Sequence, residues 1–442
     1  MQVQIKFLTL CKEFLPNLKN INKPNKQNNT PLHVACSKGH FKIVRYLIDN
    51  GAEIDKRGQD DTTPLHVAIN KGHKKIVLLL IAYGSDIEAS VRHCKPLHIA
   101  AKKDFEDIVD ILIGAGVDIH SGPETPLHVA VSSGSIKAAF VLIQRGADIE
   151  RLDNKQRTPL MSAISRGQLE AVKLLQEYCC DMRVSNKHGL GPIGMAIYYG
   201  HVSIVQYLLD VTSAEANAKA KANLLHICAQ YNKPDIAKLL ICKGAKVNDK
   251  NDKGRMPIHI AVKYGSVEVL QLLLENNAKV NARHSDGVTP LLISVLKGHL
   301  ECTKLLLHHG AHVDAKYAHR TPLHNSIKLG LKDIVKVLIE HGSNVKAKTN
   351  SGKTPLHFTA KHNKPDISYL LIAEGVDIDA QDIQGNTSLH FAIKENNLEV
   401  LRLLLDQNSS LIIRNFDNLD ACESSLNCNM INTSKVIMYC QH

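Results

Sequence analysis

Apolar positions along this chain repeat on two scales. Within short stretches they fall three and four residues apart, as in Ile43, Val44, Leu47 and Ile48 or Ile334, Val335, Leu338 and Ile339, which predicts amphipathic helices of two to three turns. Over longer distances a Thr-Pro-Leu-His-like tetrad recurs, with its Pro position at 31, 64, 96, 126, 159, 192, 224, 257, 290, 322, 355 and 388. Pro fills ten of these twelve positions, Leu224 and Ser388 being the exceptions, and Thr precedes eight of them. Thr can cap the free amides of a first turn and Pro fits the first helical position, so a short helix is predicted to start at each Pro position. Eight residues later stands Gly39, Gly72 or Gly134 and their counterparts, with Asp104, Asn232, Asn363 and Asn396 in the others. All three residue types tolerate left-handed dihedrals, so each first helix should end in a tight reversal. A second amphipathic helix follows and stops at another Gly or Asn, twenty residues after the Pro position, before an apolar-acidic stub and an Asp-x-x-Gly-like turn.

A unit of about this size cannot bury its apolar face alone, and stacked neighbours must supply the other half of the core. The residues ThrProLeuHisValAla at 30–35, 63–68 and 125–130, then LysGlyHis, then GlyAlaGluIleAsp at 51–55, resemble the ankyrin repeat. That resemblance implies an all-α solenoid of stacked helix-turn-helix repeats with β-turn fingers, in which the tetrad His ties neighbouring repeats through its ring nitrogens. Twelve copies span about residues 22–415. The chain then divides into an N-terminal capping helix over 1–21, repeats 1 to 6 over 22–210, and repeats 7 to 12 over 224–415. Between the two blocks lies an irregular junction at 211–223, a candidate hinge that keeps the length but loses the Gly and the finger turn. A degenerate cap or tail fills 416–442. Repeat 3 ends early, with SerGlyProGlu at 121–124 in place of a full finger, and repeat 5 carries CysCys at 179–180 where GlyAla is expected.

Composition narrows the function. With 44% hydrophobic and 22% charged residues the chain has a globular balance, and no uninterrupted apolar run approaches the length of a membrane span. Eleven cysteines without a CxxC pair read as reduced thiols in a cytoplasmic setting; a nuclear setting, or release without a classical signal, stays open. The formal charge of +11 comes with no Trp and 4% aromatics, few platforms for stacking on bases, so no nucleic-acid partner is expected.

Fragments of catalytic motifs do not sit in catalytic contexts. GlyLeuGlyProIleGly at 189–194 fits a dinucleotide fingerprint but opens repeat 6 rather than following a strand, and GlyLysThr at 352–354 lacks the earlier Gly of a phosphate loop. Nine of the 24 histidines hold the tetrad position, and the cluster His308, His309 and His312 is broken by Gly310. No metal, no cofactor and no catalytic residue is expected.

The candidate contact surface lies seven residues after each Pro position, outside the apolar stripe. Three consecutive repeats place Tyr199, Tyr231 and Tyr264 there, and tyrosine is a frequent anchor of protein interfaces. Tyr198 and Tyr317 are candidate neighbours. By resemblance to the ankyrin family this position lines the concave surface. Fingers between repeats 7 and 11 carry Lys250, Lys253, Arg255, Arg283, Lys316, Arg320, Lys346, Lys348 and Lys353 against Asp249, Asp252, Asp286 and Asp314, a pattern that would steer a partner protein with an acidic surface. Tyrosines that merely tile the groove, and a solvated basic edge, are the competing readings. Asn248 and Asn281 also resemble the acceptor position of asparaginyl hydroxylation in ankyrin repeats.

The leading expectation is therefore a non-enzymatic scaffold or adaptor that binds one or more proteins. Two other readings stay open: a membrane-active toxin, since long ankyrin arrays also resemble the repeat region of latrotoxins, and an adaptor for ubiquitin ligation or the membrane skeleton.

Overall fold

The computed structural model describes residues 20–91, 94–211, 214–421 and 423. The expected capping helix over 1–21 and most of the tail over 416–442 lie outside them. Among the described residues there are 24 α-helices, and the strand-like features are two isolated bridges, Val91 with Cys94 and Tyr317 with Arg320. The architecture is all-α.

Each repeat forms as its punctuation dictates. Pro31–Lys38 and Phe41–Asp49 are the two helices of repeat 1. The Thr30 hydroxyl accepts a hydrogen bond from the His33 amide, Pro31 opens the helix and Gly39 closes it at φ 75°. The same Thr cap recurs at Thr63, Thr125, Thr158, Thr289 and Thr321. Gly39 has a second reason to be Gly: a Cβ there would lie 2.8 Å from the ring of His73 in the next repeat. That ring in turn reaches the Ser37 carbonyl, Nε2 to O at 3.3 Å.

Apolar burial is shared between the two helices of a repeat and their neighbours. Leu32, Ala35 and Cys36 of one first helix and Ile43, Val44 and Leu47 of its second are buried, and each first helix packs on the first helix of the next repeat within a unit. The chain separates into two compact units, Met1–Thr212 and Ser213–His442.

Repeat 7 departs from the expected start at its Pro position. Its first helix runs Ala214–Tyr231, 18 residues without a break, so it takes in most of the junction that reads as irregular in sequence. Leu224 replaces the Pro that starts ten of the other eleven first helices, and AlaGluAlaAsnAlaLysAlaLysAlaAsn at 214–223 is rich in strong helix formers with no Gly to interrupt it. Without a stop signal the helix propagates.

Repeat 5 keeps its second stop by forcing an unusual residue into it: Cys179 takes φ 59° where its counterparts in left-handed backbone are Gly, or Asn at 277 and 408.

Candidate protein-interaction surface

The tetrad histidines are committed to the scaffold. In repeats 1, 2, 4, 10, 11 and 12 the Thr hydroxyl and the His Nδ1 lie 2.7–2.9 Å apart. On the far side of all nine rings Nε2 donates to a backbone carbonyl of the following finger at 2.8–3.3 Å, as from His33 to Thr62 and from His324 to Lys353. This is the tie between neighbours that the resemblance implies. One nitrogen donating and the other accepting defines a neutral ring. Burial favours that form and holds His66, His259 and His324 down at about 4, against weaker opposing pulls from the carbonyls they bond. No group of three or more His, Cys, Asp or Glu arranged to hold a metal occurs among the described residues.

Residues that end the apolar-acidic stub brace one loop against the next. Asp55 accepts from the Ser85 hydroxyl and the Asp86 amide, and Asp314 does the same with Ser343 and Asn344. Asn248 and Asn281 fill the same role through both ends of their amides, donating to the carbonyls of Asn277 and Gly310.

The position beside the inter-helix turn points outward as its phase requires. Ten of its twelve residues are exposed, among them Tyr199 and Tyr264 at 45% and 47%. Tyr231 and His362 are half-buried instead. The three tyrosines do not form one surface within a unit: Tyr199 belongs to the first, Tyr231 and Tyr264 to the second. Tyr199 packs edge-on against Tyr198, ring centroids 4.9 Å apart, and stacks on His201. The Lys263 ammonium lies over the Tyr264 ring at 5.1 Å. Tyr317 is on a finger, where its backbone pairs with that of Arg320, rather than on the helix face.

The basic fingers split into two kinds. Arg320 lies over the Phe358 ring and Lys353 over the Phe391 ring, at 5.6 and 4.8 Å, so both are half-buried parts of the stack. Arg255 is half-buried as well. Lys316 and Lys348 are exposed, and each reaches a carbonyl of the following finger. Lys250, Lys253, Arg283 and Lys346 are exposed, and none of the nine forms an ion pair among the described residues. Of the acids set against them, Asp314 is occupied by its loop brace and Asp286 sits 3.6 Å from His284. The net positive charge of these fingers is left facing solvent.

A second surface carries no obvious motif. Three residues after the Pro position, Val34, Val67, Ile99 and Val129 line one open groove of about 750 Å³ in the first unit. Each is an ordinary apolar residue directly after the tetrad, about 100° around the helix from the buried Ala that follows it.

Seven overlapping matches to the family model for ankyrin repeats (3 copies) run along the chain, at 2–91, 89–153, 150–220, 193–284, 225–317, 258–349 and 323–415. The chain belongs to the ankyrin-repeat family. Ankyrin repeats are a general protein–protein interaction module on a fold that is typically non-catalytic. A comparison with curated proteins found no match. Among solved structures, the human ASB11 ankyrin repeat domain is 27% identical with a TM-score of 0.44; the match covers 49% of this chain and 96% of that one. The ankyrin repeat domain of Bcl-3, described as a member of the IkappaB family, is 22% identical with a TM-score of 0.45, covering 48% and 97%. No helix among the described residues is long and apolar enough to cross a membrane.

Proposed function

We propose that this ankyrin-repeat chain is a non-enzymatic scaffold that holds one or more partner proteins against its turn positions and fingers, acting in the cytoplasm. The observation that carries the reading is the outward row beside the inter-helix turns, with Tyr199 and Tyr264 exposed at the C-terminal ends of helices that are closed by a left-handed Gly and stacked on a neighbouring first helix. A rigid presenting surface lowers the ordering cost of binding. Unpaired finger cations in the second unit add attraction for a partner with an acidic surface, chiefly by speeding encounter.

The test is quantitative affinity capture from source-cell extract with the wild-type chain, a Tyr199→Ala/Tyr231→Ala/Tyr264→Ala variant and an Arg283→Glu/Lys346→Glu variant. A discrete protein set that the tyrosine variant loses, and that the charge variant and raised salt weaken, supports the reading. The same set retained by both variants would remove it.

A further inference from the structure

We propose that the groove across repeats 1 to 4 of the first unit binds an extended acidic segment of a partner protein that offers an apolar side chain at every third residue. The inference rests on the protein-binding reading above and adds a site in the first unit, where Lys38, Lys71 and Lys103 of the turn row stand beside an apolar groove floor.

The groove floor has no folding reason to be apolar. The core face of each first helix is already filled, by Leu32, Ala35 and Cys36 in repeat 1 and by Leu65, Ala68 and Ile69 in repeat 2. Val34 is nevertheless 42% exposed, and Val67, Ile99 and Val129 are partly exposed in the same register. Scattered surface valines mean little, but four in successive repeats along one groove form a continuous stripe. The next residue in this register, Ser162, is fully buried, which bounds the stripe at four positions.

Charge selects the sign of the occupant. Lys38, Lys102 and Lys103 line the groove, and Asp60 is the one acid among the lining residues. Lys71 takes the intervening place in the same register. None of the four lysines forms an ion pair among the described residues. Asp104, beside Lys103, is engaged with the Ala138 amide at 2.8 Å.

Spacing selects the conformation. Packed helices lie about 8–10 Å apart, so the stripe offers an apolar contact at about that interval. A polyproline-type segment, with three residues per turn and a rise of about 3.1 Å, returns to one face every ~9.3 Å. A β-strand returns every ~6.7 Å and drifts out of register. An α-helix matches only every seventh residue, at about 10.5 Å, and its backbone groups are already satisfied. An extended segment leaves its backbone unpaired, and the side-chain amides of Gln27, Gln59 and Asn70 line the same groove to meet it. Four contacts then need about ten residues.

The experiment measures fluorescence anisotropy of a labelled decapeptide, Leu-Pro-Glu-Leu-Pro-Glu-Leu-Pro-Glu-Leu, with the full chain. Its comparators are a scrambled peptide of equal composition and a helical peptide with Leu at every seventh residue. Saturable binding is expected, at least tenfold tighter than either comparator and weakened by salt. A Val34→Glu/Val67→Glu variant and a Lys102→Glu/Lys103→Glu variant, each checked for an unchanged melting curve, should each lose at least tenfold. Equal binding by the scrambled peptide, tighter binding by the helical one, full affinity in both variants, or no saturable binding would each overturn the proposal. Partner capture through the tyrosines and fingers is read separately, so a silent decapeptide with intact capture removes this site and leaves the scaffold reading standing.

Discussion

Acid should dismantle the stack in a narrow and unusual window. The perturbation is a drop from pH 7.5 to pH 4.5. His66, His259 and His324 ionise in the folded chain only near 4, against about 6.5 when unfolded. Burial likewise lowers His33, His98, His128, His357 and His390. A folded value below the unfolded one means that the fold binds the neutral ring. Stability from these groups is therefore complete above about 6.5 and is lost as the pH falls toward 4. Each of the first three rings is at most 1% exposed, and a gap of about 2.5 units corresponds to roughly 3 kcal/mol at full loss. Carboxylates such as Asp153, held low by Arg157 despite its burial, act only below about 4 and do not share the window. The assay is the urea midpoint by far-UV circular dichroism at pH 7.5, 6.5, 5.5 and 4.5. Midpoints rather than a single unfolding energy are compared, because long arrays unfold in parts. A His324→Leu variant serves as internal control, since Leu292 fills that position in repeat 9 at 1% exposure and the Lys353 carbonyl keeps the Thr349 amide. It should cost about 1 kcal/mol at pH 7.5 and show a shallower fall below 6.5. A midpoint that stays flat between pH 7.5 and 4.5 would mean that the fold does not hold these rings neutral.

Two further substitutions follow from local geometry, and one tests the surface. Cys179→Gly relieves a left-handed non-glycine residue and should raise stability by about 1 kcal/mol in urea denaturation; no gain would mean the site is unstrained. In repeat 4, Arg157 donates to the second carboxylate oxygen of Asp153, whereas the matching oxygen of buried Asp382 has no partner and Asn386 stands four residues on. Asn386→Arg should therefore stabilise the second unit by about 1–2 kcal/mol, read as slower amide exchange around 382–390. Tyr264→Ala should leave the melting temperature within about a degree, since an exposed change rarely exceeds 0.5 kcal/mol, and a larger drop would assign that ring to packing.

Punctuation made the architecture legible. Thr30, Pro31, Gly39 and Gly51 each impose a local backbone state whatever surrounds them, and twelve repetitions leave little freedom in how units stack. The solvent-facing phase of Tyr199 and Tyr264 could be read for the same reason. What could not be read depends on neighbours in space. Arg320 and Lys353 look like free finger cations until Phe358 and Phe391 of the next repeats are brought beneath them. The helix through 214–223 looks like a broken repeat when judged against a template, although its alanines favour helix on their own. Val34, Val67, Ile99 and Val129 stand off the core phase of their helices, but only the folded groove shows that the four line one surface.

Whether exposed turn and finger residues hold a partner protein is decided by titrating the purified chain with its principal captured partner in a calorimeter. One-to-one binding is expected, weakening at least tenfold in the Tyr199→Ala/Tyr264→Ala variant and again on raising salt. Unchanged affinity in that variant at both salt concentrations would contradict it.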